Sequence, residues 1–136
     1  MAANLLGRVE VGETASETAH DLRSDGSHNG NAGEPFTHWR DARDYFSYSL
    51  RVSPSQPTTL RCAYWGTDTG RTFTLRVDGK PLAVQTLTGQ QPNSYYYVSY
   101  PLPPSMKQGK EKVTVRFESV AGSVEGGLFD IRTLKR

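Results

Sequence analysis

One cysteine in 136 residues excludes an intrachain disulfide and any metal site built on several thiolates. Cys62 falls between Leu60 and Tyr64 on the apolar side of an alternating run. A thiol there packs rather than reacts, because a reactive thiolate needs exposure and positive neighbours. No apolar stretch approaches the roughly 18 residues of a membrane-spanning helix. The opening Met1-Ala2-Ala3-Asn4-Leu5-Leu6 has no basic n-region and no full apolar segment, so no signal peptide is expected in this chain. An excess of one charge is missing too. Sixteen Lys+Arg against fourteen Asp+Glu leave +2, scattered along the chain. Without a basic block interleaved with aromatics, nucleic acid is not expected as a partner.

Catalytic signatures are equally scarce. There is no G-x-S-x-G elbow to raise a serine nucleophile. His20, His28 and His38, with Asp21, Asp25 and Asp41, fit no HxxxH or HExxH spacing and read as solvated or capping residues. Asp25-Gly26-Ser27 and Asp68-Thr69-Gly70 lack the acidic density of a dedicated calcium loop and read as turns. No cofactor is expected, and a structural Ca²⁺ is not indicated. Asp41 and Asp44 are weak as a glycosidase pair, since a hydrolase acid needs a pocket that a small domain rarely provides. Arg40-Asp41-Ala42-Arg43-Asp44 alternates charge and suggests local salt bridges. Gly66 and Gly70 bracket a tight turn, not a phosphate loop.

What the chain does have is period-two alternation. Phe46, Tyr48, Leu50 and Val52 alternate with Ser47, Ser49 and Arg51; Leu60, Cys62 and Tyr64 resume the rhythm, as do Phe73, Leu75 and Val77. Gly, Pro and Asp clusters separate these runs, which is the pattern of antiparallel strands with one buried face. Strands are expected near 44–53, 58–66, 71–78, 81–88, 94–101, 111–120 and 127–134, with an opening strand within 1–11. Asp78-Gly79 marks a hairpin tip. Residues Leu102 to Lys110 form a longer connection with two prolines and a glycine. Gly12 to Pro35 is polar and without period, so it reads as a loop, long enough to be either functional or disordered. The fold expected is all-β: an antiparallel β-sandwich of jelly-roll or galactose-binding-like type, with seven to nine strands in a single domain over 1–136. Residues 1–16 are partly linker in this reading, and the chain is a piece of something larger. At 15.1 kDa with a mean hydropathy of -0.60, it suits sheets with one wet face each.

Candidate binding residues come from aromatics that fall off the core face. Tyr95-Tyr96-Tyr97-Val98-Ser99-Tyr100 places aromatics on both sides of one strand, and only one side can be core. Trp65 lies opposite Leu60, Cys62 and Tyr64 in phase. An exposed ring takes the C–H face of a sugar while hydroxyls pair with charged or amide groups. Trp65, Tyr95 and Tyr97 are therefore candidate stacking platforms for carbohydrate, with Asp68 and Arg71 as polar partners. The plainer alternative is that these rings cover a sheet edge or pack beneath the Gly12–Pro35 segment.

Several stretches carry a family resemblance. They are His20-Asp21-Leu22-Arg23-Ser24, Trp39-Arg40-Asp41-Ala42, Tyr45 to Val52, Tyr64 to Phe73, Val77-Asp78-Gly79, Gly109 to Phe117 and Gly126 to Arg132. Over residues 17 to 134 the chain resembles the C-terminal β-sandwich domain of bacterial glycoside hydrolases related to the family 127 β-L-arabinofuranosidases. The resemblance implies a secreted or periplasmic parent enzyme whose (α/α)6 barrel holds the catalytic cysteine, carboxylates and zinc. None of that barrel is in this sequence, and Cys62 lies in the wrong module to be that cysteine. The expected role is a non-catalytic accessory module that binds carbohydrate weakly or packs against the barrel. The alternatives are a structural or dimerisation domain without ligand and, behind it, a small stand-alone hydrolase.

Overall fold

The structure, a computed structural model, describes residues 4–32, 34–36, 38–120 and 125–135, with the backbone alone at 125 and 126. The first three residues of the expected opening strand lie outside them. Among the described residues the chain forms nine strands and two short helices. In order these are β1 (Leu5–Val9), α1 (Thr14–Ala19), β2 (Arg23–Asn31), β3 (His38–Arg51), β4 (Thr58–Trp65) and β5 (Thr69–Val77). There follow β6 (Lys80–Thr88), β7 (Tyr95–Pro101), α2 (Pro104–Lys107), β8 (Lys112–Ser119) and β9 (Glu125–Lys135).

All pairings are antiparallel. The hydrogen-bonded path runs β6-β5-β8-β3-β9-β4-β7, with β1 added beside β9 and β2 beside β3. One strand joins the two layers of the sandwich. The second half of β3, Tyr45 to Arg51, pairs with β8, whereas Arg40 and Ala42 pair with β9. Each layer turns its alternating apolar residues inward. Phe46, Tyr48, Leu50, Phe73, Leu75, Val115 and Phe117 come from one side, and Leu60, Cys62, Tyr64, Leu128 and Ile131 from the other, all at 0% exposure. The layers meet where Tyr64 lies 5.5 Å from Phe73, and within one layer Phe46 stacks on its cross-strand partner Phe117 at 5.0 Å. Cys62 is a buried thiol outside any disulfide, as its phase requires. At the β5–β6 hairpin Asp78 (φ 49) and Gly79 (φ 84) both adopt left-handed backbone, the geometry that an Asp-Gly turn supplies at least cost.

The segment from Gly12 to Pro35 is not a loop. It contains α1 and β2. β2 is an edge strand, wet on both faces, so no apolar alternation betrays it; its order comes from backbone pairing to β3. Asp25-Gly26-Ser27 is a bulge in that pairing, with Gly26 at φ 67. α1 is only six residues long and buries one side chain, Glu17, so it has no apolar stripe to read. Glu17 is 3% exposed and Arg40 8%. Arg40 donates Nε to Glu17 Oε2 and Nη2 to Oε1, both at 2.7 Å, and Nη1 to Ser27 Oγ at 2.8 Å. Tyr48 donates its hydroxyl to the same carboxylate. This bidentate pair pins α1 onto the end of the core.

The expected local salt bridges along Arg40 to Asp44 do not form between chain neighbours. Successive residues on a strand face opposite ways, so Arg40 reaches Glu17 while Asp41 reaches Arg71. Leu102 to Lys110 holds the short α2, whose Lys107 donates to the Ser53 carbonyl at 2.9 Å.

Three tyrosines carry a prediction of their own. Burial pushes the hydroxyl pKa of Tyr48 up, with the Glu17 carboxylate adding to it. Burial does the same at Tyr64 and Tyr100, whose hydroxyls bond each other at 2.8 Å. In an alkaline spectrophotometric titration these three of the seven tyrosines are expected to ionise only together with unfolding. Reversible ionisation of all seven in the folded protein would contradict this packing.

Candidate carbohydrate-binding recess

β3, β4, β5 and β9 converge at one end of the sandwich on a recess of about 220 Å³, lined by Trp39, Asp41, Trp65, Asp68, Arg71, Gly127 and Phe129. Each side chain is placed by its strand phase or by the β4–β5 turn. Trp65 is the last residue of β4, on the face opposite Tyr64. Trp39, the second residue of β3, lies against Gly30 of β2, where a Cβ would fall 2.4 Å from its ring. Gly30 therefore lets the indole lie flat on the strand. Gly66 serves a similar need. A Cβ there would stand 2.0 Å from the Gln91 carbonyl oxygen, and its own N–H donates to the Ser94 carbonyl at 2.8 Å. The Gly66 turn and the 91–94 turn thus interlock behind Trp65.

The recess is polar as well as aromatic. Arg71 Nη1 donates to Asp41 Oδ2 at 3.3 Å, and His28 approaches the same carboxylate at 3.9 Å. Burial raises the Asp68 carboxyl above its ordinary 3.8; Arg71 pulls it back, and the Asp41 charge pushes the same way as burial. Two carboxylates and a guanidinium between two indoles can accept from and donate to ring hydroxyls while an indole face covers the C–H side. The volume lies below the ~300–1000 Å³ of drug-sized pockets, which limits any occupant to a small group.

Of the five residues singled out in the sequence, the structure brings Trp65, Asp68 and Arg71 together in this recess. Tyr95 and Tyr97 stand beside it. Tyr95 is the hub of an aromatic cluster, with Phe36 at 4.9 Å, Phe129 at 5.1 Å and Trp65 at 5.3 Å, all edge-on. It supports Trp65 from behind rather than presenting a free face. Tyr97 is 42% exposed on the outer sheet face, with the Arg61 guanidinium 4.5 Å from its ring centroid. Phe36, at the end of the Gly12–Pro35 segment, covers both tyrosines from one side.

The sequence reading missed Trp39, Asp41 and Phe129. Trp39 had the right residue type, but its partner Trp65 is remote in sequence and only the β3–β9–β4 order brings them to one end.

The three histidines go separate ways. His20 Nδ1 lies 2.8 Å from the Ser16 carbonyl and His38 Nδ1 2.8 Å from Glu13. Among the described residues no group of three His, Cys, Asp or Glu side chains is placed to hold a metal. No helix among them is long and apolar enough to cross a membrane.

The nine antiparallel strands among the described residues form a jelly-roll-type β-sandwich, and solved structures share that fold. A family 35 carbohydrate-binding module from an environmental isolate superposes with a TM-score of 0.67 at 16% identity, covering 86% of this chain and 88% of that one. The ectodomain of the receptor-like kinase ANX2 from Arabidopsis thaliana gives 0.68 at 10% identity over 96% of this chain and 49% of its own. An exo-β-1,3-galactanase from Phanerochaete chrysosporium, solved with β-1,3-galactotriose, gives 0.63 at 15% identity over 86% of this chain and 28% of its own. The chain belongs to a family of unknown function, DUF6805, whose profile matches residues 1–134. No curated protein matches it by sequence.

Proposed function

We propose that this chain is a non-catalytic carbohydrate-binding module whose site is the recess between Trp39 and Trp65. The convergence of two indoles, Asp41, Asp68 and Arg71 in one small recess carries this reading. The fold shared with family 35 carbohydrate-binding modules, and with a domain of a galactanase solved with its galactotriose, supports it. The parent is a secreted or periplasmic glycan-trimming enzyme, in keeping with the resemblance to accessory sandwiches of family 127 hydrolases. In that parent an (α/α)6 barrel supplies the chemistry and this module holds the glycan near it. Galactose- and arabinose-containing oligosaccharides are the ligands to test first.

The protein has two tryptophans, Trp39 and Trp65, and both line the recess. Its tryptophan emission therefore reports this site. Titration with a galactose- or arabinose-containing oligosaccharide is expected to give a saturable change in emission. Trp65→Ala should weaken binding about tenfold or more, as for a central aromatic anchor. Asp68→Asn should weaken it less, because the amide keeps one acceptor. Unchanged emission to millimolar sugar, or equal affinity of Trp65→Ala, would overturn the reading. Hydrolysis of an aryl glycoside by the isolated chain would overturn its non-catalytic part.

A further inference from the structure

Three arginines stand in one cross-strand row on the outer face of the β1–β9–β4 layer. Arg8 pairs with Arg132 across β1–β9, Arg132 with Arg61 across β9–β4, and Arg61 with Ser99 across β4–β7. Neighbouring strands are ~4.8 Å apart, and like charges directly opposite one another destabilise a sheet. Two carboxylates answer the row, and both serve Arg8: Glu10 Oε1 lies 3.5 Å from Arg8 Nη1. Asp130, 4% exposed, accepts from Arg8 Nε at 2.8 Å and from Arg132 Nε at 2.7 Å. Arg61 lies over the Tyr97 ring, and among the described residues no carboxylate pairs with it. Three cations meet two carboxylates, neither of which pairs with Arg61, a local conflict of the kind that proteins retain at functional sites.

The row opens onto space. A shallow groove of about 1180 Å³ runs past Asn4, Thr59, Arg61, Tyr97, Ser99 and Lys135. A smaller recess lined by Arg8, Phe36, Asp130 and Arg132 continues from it through the shared Arg61 and Tyr97. We propose that this face binds an acidic polysaccharide, seating its carboxylate or sulfate groups on Arg61 and its neighbours in the row. Guanidinium forks match the planar geometry of carboxylates and the oxygens of sulfate. Asp130 fixes two of the forks, and the exposed Ser99 offers a hydroxyl to the uncharged parts of the polysaccharide. The cationic stretch is too short for a nucleic-acid track, which neutralises many phosphates at once. The proposal rests on the glycan reading above for its ligand class, but it uses none of the recess residues.

Calorimetric titration of the whole chain tests it with oligogalacturonate, a sulfated galactan fragment, a neutral galactan fragment of equal length and inorganic polyphosphate. The acidic oligosaccharides should bind at low salt and weaken as NaCl is raised. Arg61→Gln removes the one cation of the row without a carboxylate partner, so the fold stays intact. It should weaken acidic binding about tenfold, as for a lost charge-assisted contact, while Trp65→Ala leaves that binding unchanged. Equal binding of the neutral fragment, equal binding of polyphosphate, or no effect of Arg61→Gln would overturn the proposal. Acidic binding at the arginines with no tryptophan response to neutral sugar would instead sink the recess reading and leave this one standing.

Discussion

Glu17→Ala is expected to destabilise the fold by about 3–5 kcal/mol, the cost of leaving a buried cation without its partner. Arg40 is nearly buried and spends two of its three hydrogen bonds on that carboxylate. Tyr48, at the floor of the core, loses its acceptor in the same change. For a domain of this size the melting temperature should fall by roughly 10–15 °C. A double replacement, Glu17→Leu with Arg40→Met, removes both charges and should recover much of the loss, because well-packed apolar pairs often match buried ion pairs. Chemical denaturation of the three proteins distinguishes the cases. A loss below about 1 kcal/mol for Glu17→Ala would mark the pair as surface-like.

The same pair sets a pH dependence. Burial raises the Glu17 pKa, but hydrogen bonds from Arg40, Tyr48 and the Gly12 backbone, with the Arg40 charge, bring it below the ordinary 4.5. A carboxylate held lower in the folded state than in the unfolded chain stabilises the fold fully above about 4.5. That stabilisation is lost as pH falls through the lowered folded value. Denaturation midpoints should therefore drop on acidification below 4.5, and less steeply in the double replacement, which has nothing to protonate at this position.

The second large effect is expected at Gly66. Any Cβ there would meet the Gln91 carbonyl oxygen at 2.0 Å and the Ser94 carbonyl oxygen at 2.7 Å. Both are backbone atoms, so no side chain can swing away, and one turn must move off the other. Gly66→Ala should cost about 3 kcal/mol, at the upper end of overpacking changes. It should also separate Trp65 from Tyr95, the next residues on either side of the interlocked turns. Sugar affinity is then expected to fall with stability. Gly79→Ala is the control: nothing lies within 4 Å of its Cβ, so it bears only the strain of a left-handed φ of 84°. A Gly66→Ala protein as stable as the Gly79→Ala protein would contradict the interlock.

The strands of the two core layers were legible because each buries one face. Phe46, Tyr48 and Leu50, or Phe73, Leu75 and Val77, declare their phase by alternation, and Asp78-Gly79 declares its turn. β2 was hidden because it buries nothing apolar; only its neighbour β3 gives it order. α1 was hidden because its single buried side chain is a glutamate, whose partner Arg40 lies 23 residues away. In the recess, Trp65, Asp68 and Arg71 were legible as a group because one turn carries them. Trp39, Asp41 and Phe129 were not, since strand order rather than spacing brings them in. The arginine row was invisible for the same reason. Arg8, Arg61 and Arg132 become neighbours only once β1, β9 and β4 are in register.

The most direct test of the account follows the two indole N–H resonances of the labelled protein during titration with a galactose- or arabinose-containing oligosaccharide. Both Trp39 and Trp65 signals should move along one saturation curve, with backbone shifts confined to β3, the β4–β5 turn and the start of β9. Static indole resonances while shifts gather elsewhere, or cleavage of the added sugar during the experiment, would contradict a binding module built on that recess.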